Sequence, residues 1–127
     1  MENQKLIYIV DDDEVINALI VKRFTVEGYK VEAFTYGEDC IKALTRNPDA
    51  VILDYYFISN DHKVMNGMEV LDEIKKLRPE TPVVMLSGQE KGEIVLELAR
   101  KGIKDYIIKD NNLVDNLKNA LNEIFEN

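Results

Sequence analysis

Leu6-Ile7-Tyr8-Ile9-Val10-Asp11-Asp12-Asp13-Glu14 opens as five apolar residues and breaks abruptly into four acids. Five residues are too few for a typical helix and suit a strand buried on both faces. Residues from Glu14 onward change period: Val15, Ile16, Leu19, Ile20 and Phe24 recur at helical spacing up to Gly28, an ordinary helix stop. The stretch therefore reads as strand, acidic turn, helix.

The same unit recurs along the chain. Further strand-like runs are Lys30–Phe34, Ala50–Leu53, Val83–Leu86 and Tyr106–Ile108. The first of these, Lys30–Phe34, alternates polar and apolar residues, which predicts one wetter face. Helical patterns cover Glu14–Glu27, Glu38–Thr45, Met68–Arg78, Lys91–Lys101 and Leu113–Phe125. The expected class is α/β, a (βα)5 doubly wound parallel five-stranded sheet with helices on both faces.

Length and composition agree. The 127 residues fit one domain, expected over 1–127, and such a fold buries roughly two-thirds of its unfolded surface. The lone cysteine, Cys40, allows no internal disulfide and is expected to pack as a small apolar residue. Twenty-four acidic against 16 basic residues give a net charge of −8. With no basic cluster the chain is a poor candidate for binding nucleic acid, which needs phosphate neutralised. The start does not read as a signal peptide, and no run approaches the ~20 apolar residues of a membrane span. A soluble, cytoplasmic location is the expectation.

Doubly wound sheets bind ligands beyond the carboxyl ends of their strands. The first strand ends at Asp11 and Asp12, the third at Asp54, the fourth at Ser87 and the fifth at Lys109. Each has an ordinary reading alone: acids cap helices, Asp and Ser-Gly begin turns, and lysines are usually solvated. Together they would bring three carboxylates, a hydroxyl and an ammonium to one edge. Two carboxylates ~4 Å apart repel by about 4 kcal/mol at an effective dielectric of 20, so a cation is needed. Mg²⁺ suits such oxygen ligands, with Mn²⁺ as a substitute. One acid could then serve as a nucleophile toward phosphorus, while hydroxyl and ammonium stabilise the transferring group.

This pattern resembles the receiver domains of two-component response regulators, across essentially the whole chain and on a flavodoxin-like fold. The family's acid pair matches Asp11 and Asp12, its phosphoacceptor Asp54, its hydroxyl residue Ser87 and its lysine Lys109. Its aromatic switch residue matches Tyr106, and Gly67-Met68-Glu69-Val70-Leu71 looks like the glycine leading into its third helix. The resemblance implies that Asp12, Asp54 and the main-chain carbonyl of Tyr56 ligate Mg²⁺ directly. Asp11 would help through water or hydrogen bonds, and Ser87 and Lys109 would bind phosphoryl oxygens. It implies a sensor histidine kinase or histidine phosphotransfer protein as phosphoryl donor. A downstream protein would dock on the face around Glu90–Lys101, Tyr106 and the last helix. The chain would be a switch that promotes its own phosphorylation, not a turnover enzyme. Asp13 is expected only to cap a helix.

The chain departs from the family twice. Asp110 follows Lys109 where the family has a cis-proline; a cis bond to a non-proline residue costs ~2.5–4 kcal/mol, so a trans peptide is expected here. Gly67 comes thirteen positions after Asp54, further than is usual, so the loop around 57–66 is long. His62, within it, is expected to be a solvated loop residue. Rival functions fare worse. An aspartyl-phosphate phosphatase of the haloacid dehalogenase type needs a second Asp where Tyr56 stands. A nucleotide or flavin module needs a glycine-rich phosphate loop, which is missing. A pseudo-receiver that only binds partners would have lost its acceptor or lysine.

Overall fold

The computed structural model describes residues 4–55, 65–88 and 92–126. Five strands, β1 (Leu6–Val10), β2 (Lys30–Phe34), β3 (Ala50–Asp54), β4 (Val83–Ser87) and β5 (Asp105–Ile108), alternate with five helices. These are α1 (Glu14–Val26), α2 (Gly37–Lys42), α3 (Gly67–Leu77), α4 (Gly92–Arg100) and α5 (Leu113–Phe125). The sheet is wholly parallel, in the order β2-β1-β3-β4-β5.

Strand alternation builds two cores. Ile7, Ile9, Ala50, Ile52, Val84, Leu86 and Ile107 point to one face, where Ile20 and Phe24 of α1 and Leu113, Leu117 and Leu121 of α5 cover them. Tyr8, Val10, Val51, Leu53, Val83 and Met85 point to the other, under Val70, Leu71 and Ile74 of α3, Leu98 of α4 and Cys40 of α2. Each large side chain so buried is worth about 1.5–3 kcal/mol. The three inner strands are accordingly almost wholly apolar and rich in Val, Ile and Leu. β2 is an edge strand with no fully buried residue, so its expected wetter face is an edge.

Cys40 is buried, as expected, and burial pushes its thiol up to about 12. Gly28 and Gly102 take positive φ just past α1 and α4, and Gly28 is the stop signal read in the sequence. Other boundaries differ. The second helical pattern divides: α2 gives way to a 3₁₀ turn over Ala43–Arg46, closed by Asn47 in the left-handed conformation ahead of Pro48. The face of α1 also differs from its apolar pattern. Val15 is 75% exposed, whereas Asn17, at 6%, is turned inward. Among the described residues no helix is long and apolar enough to cross a membrane.

Candidate functional site

The site forms where the parallel strands end together. Asp11 continues β1 by donating its N–H to the Phe34 carbonyl (3.1 Å), and it is completely buried. Its Oδ1 accepts the Asp13 N–H (2.9 Å). Asp13 in turn accepts the Val15 and Ile16 N–H groups, so it is the helix cap the sequence suggests. Asp12, between them, faces solvent.

Asp54 is the last residue of β3, 2% exposed and opposite Leu86. The next N–H, of Tyr55, donates to the Leu86 carbonyl (2.8 Å), so the acid rides on a backbone held to β4. Ser87 closes β4 and is 1% exposed. Lys109 extends the ladder of β5 by donating its N–H to the Ser87 carbonyl (2.8 Å). Its Nζ lies 2.7 Å from Asp11 Oδ2 and 3.1 Å from Asp54 Oδ1. Burial acts to lower the pKa of this ammonium. The hydrogen bond to Asp11 and the charges of Asp54 and Asp11 outweigh it and hold Lys109 above the ordinary lysine value.

Carboxylate oxygens of Asp11, Asp12 and Asp54 all lie within 4.8 Å of one another. An all-oxygen, three-carboxylate set fits a hard divalent cation such as Mg²⁺. The arrangement thus offers a cation site, an acid at a strand end, and a lysine and a hydroxyl beside it. Alternation puts Ser87 and Tyr106 on the same face of the sheet as Val83 and Met85; Tyr106 is half-buried against the cluster beneath α3 and α4. The structure therefore gathers Asp11, Asp12, Asp54 and Lys109, and sets Ser87 at the adjoining strand end. The Lys109–Asp110 peptide is trans, as are all those described. Tyr56, with its expected carbonyl ligand, His62, and Glu90 and Lys91 at the start of the expected docking face lie outside the described residues.

Three supports escaped the sequence reading. Asn17 donates from Nδ2 to the Asp11 carbonyl (2.7 Å). Asn66 and Glu69 form a capping box at the start of α3, a signature that was legible as Asn-x-x-Glu. Glu38 accepts the Met65 N–H (3.0 Å), tying α2 to the approach of α3. Gly67, flagged by resemblance, has a physical reason: a Cβ there would lie 2.5 Å from the Asp54 carbonyl oxygen and 2.6 Å from that of Tyr55.

Comparison with known proteins agrees with this geometry. The family model for the response regulator receiver domain matches residues 7–122. The transcriptional regulatory protein CssR of Bacillus subtilis is 36% identical over 104 residues, 81% of this chain and 44% of that protein. The nitrogen assimilation regulatory protein NtrX of Azorhizobium caulinodans is 32% identical over 81% of this chain and 22% of its own length. The chain thus spans less than half the length of these curated relatives. Among solved structures, a CheY-like receiver domain protein from Methanospirillum hungatei superposes with TM-score 0.81 at 28% identity, covering 98% of this chain and 96% of that one. The response regulator TrrA of Thermotoga maritima, in complex with Mg²⁺ and BeF, superposes with TM-score 0.81 at 27% identity, covering 96% of this chain and all of that one. With strand order, site geometry and family model in agreement, this chain belongs to the response regulator receiver domain family of two-component systems.

Proposed function

We propose that the chain is a phosphorylation-dependent signalling switch that accepts a phosphoryl group on Asp54 in a Mg²⁺-dependent reaction, acting in the cytoplasm as one receiver unit over 1–127. The observation that carries this reading is Lys109 bridging Asp11 and Asp54 at 2.7 and 3.1 Å. A lysine so placed already occupies the ground where charge on a transferring group would develop.

Asp12 and Asp54 would hold the ion directly and Asp11 would help through water or hydrogen bonds, its two oxygens already meeting the Asp13 N–H and Lys109. The Tyr56 carbonyl is proposed as a further ligand. When bound, Mg²⁺ neutralises the acids and polarises the phosphoryl oxygens. Asp54 attacks phosphorus of a histidine-linked phosphoryl group. The P–N bond breaks and its electron pair stays on the imidazole nitrogen. Lys109 shifts from Asp54 to the new phosphoryl oxygens and keeps Asp11, and Ser87 donates its hydroxyl to another oxygen. Receiver domains of response regulators work with histidine kinases; the donor proposed here is such a kinase or a histidine phosphotransfer protein.

Ser87 and Tyr106 form the relay. Drawing the hydroxyl toward the phosphoryl group vacates space on the face that both share, and the ring turns in. A population shift then reaches the downstream partner through α4, β5 and α5.

Incubation with acetyl phosphate and Mg²⁺ is expected to add one hydroxylamine-labile phosphoryl group by intact mass. Asp54→Ala or EDTA should prevent it. In the same samples beryllofluoride should perturb amide signals of α4 and β5, much less so in Ser87→Ala. An adduct persisting in Asp54→Ala, or one stable on Ser87 or His62, would refute the assignment.

A further inference from the structure

The geometry points to Asn17 as a positioning residue for the cation site: its side-chain amide holds the peptide joining Asp11 to Asp12 and so sets how Asp12 is presented. This rests on the reading of Asp11, Asp12 and Asp54 as a divalent-cation site.

Asn17 stands in the inward row of α1 with Ile20 and Phe24, three and seven positions on, and is only 6% exposed. A polar residue in an apolar row needs a partner, and its partner is the Asp11 carbonyl, 2.7 Å from Nδ2. The reach is fixed at its other end too. The Asn17 N–H donates to the Asp13 carbonyl (3.1 Å), and Asp13 caps the helix. Helix, cap and amide thus close a ring around residues 11–17.

Every other polar group of Asp11 is already held: its N–H by Phe34, Oδ1 by the Asp13 N–H, Oδ2 by Lys109. The carbonyl gripped by Asn17 belongs to the peptide whose nitrogen is that of Asp12. Rotating that peptide swings Asp12, the exposed member of the cluster, while leaving the buried Asp11 carboxylate in place. Asn17 therefore acts, through the peptide it grips, on the exposed member of the cluster. Partners of this kind, behind the ligands, change metal affinity by ~10–100-fold when removed.

The test is Mn²⁺ binding followed by the EPR signal of the free ion, with Mg²⁺ competition, on the unphosphorylated protein. Asn17→Leu removes the donor while keeping the branched heavy-atom skeleton and is expected to weaken both ions by about tenfold. Phe24→Leu, which disturbs the same helix away from the acids, should lower stability and leave ion affinity unchanged. If Asn17→Leu folds too poorly to titrate, Asn17→Ser, whose hydroxyl is too short to reach, should show the same loss. If the folded Asn17 variants bind both ions as the wild type does, Asn17 only satisfies a buried carbonyl and the inference is overturned. If the wild type shows no saturable binding that Asp12→Ala removes, the cation-site reading itself falls, and this inference with it.

Discussion

Removing the charge of Lys109 in the absence of divalent cations should strip the site of its resident cation. Nζ sits 2.7 Å from Asp11 Oδ2 and 3.1 Å from Asp54 Oδ1. At an effective dielectric of 20, each pair attracts by about 5–6 kcal/mol before desolvation is deducted. Both acids are almost wholly buried, so Lys109→Met removes the ammonium that pairs two buried carboxylates. Breaking a buried pair in this way costs ~3–5 kcal/mol. We expect a loss near ~3 kcal/mol in EDTA, which lowers Tm by roughly 10 °C. A cation that binds only the folded state stabilises it by about 2.7 kcal/mol at a hundred times its Kd. The variant binds that cation against less competition, so saturating Mg²⁺ should narrow the gap between variant and wild type. Urea melts with and without Mg²⁺ read both quantities. A variant as stable as wild type in EDTA, or a gap that Mg²⁺ leaves unchanged, would refute the reasoning.

Gly67→Ala would normally stabilise a helix start by ~0.4–1 kcal/mol. Here its methyl meets two backbone oxygens that cannot step aside, so we expect a net loss of about 1–3 kcal/mol in urea melts and slower phosphorylation by acetyl phosphate; equal or higher stability would contradict the close approach. Cys40, with its thiol pushed up to about 12, should be about one part in ten thousand thiolate at pH 8 and react with Ellman's reagent only as fast as the protein opens. Because the folded value is raised, the stability linked to this thiol is intact below an unfolded value of ~8.5 and is lost as pH rises toward about 12. Rapid labelling of native protein at pH 8 would show the site to be open.

Much of the site was legible because a parallel sheet leaves little freedom. Once Leu6–Val10, Ala50–Leu53 and Val83–Leu86 are strands buried on both faces, their following residues must meet at one edge. Asp11, Asp54 and Ser87 follow from that alone, and Lys109 from the fifth run, Tyr106–Ile108. The strand ends were read one residue short at Asp54 and Ser87, because an apolar pattern stops at the last apolar residue. The ladder continues through Tyr55 N–H to Leu86 and Lys109 N–H to Ser87, which depends on neighbouring strands. The face of α1 was not legible. Val15, Ile16, Leu19 and Ile20 spread over a wide arc, and periodicity cannot say which part of it meets the sheet. The cap at Asp13 and the amide of Asn17 decide it, and a polar anchor is invisible to an apolar count. The pairing of Lys109 with Asp11 as well as Asp54 was likewise beyond reach, since residues 98 positions apart leave no local trace.

The bracket around Asp54 bears on how such chains can diverge. The backbone leaves β3 tied to β4 through Tyr55 and returns through Met65, held by Glu38, and Gly67, seated on the carbonyls of Asp54 and Tyr55. Departure and return are therefore moored independently of what lies between. Lengthening a span whose ends are already fixed adds closure entropy only logarithmically, about 0.6 kcal/mol per doubling. Insertions, deletions and changes of composition between Tyr56 and Met65 can therefore accumulate without moving the acid. The two moorings hold the acid and the glycine seated on it whatever the sequence between them.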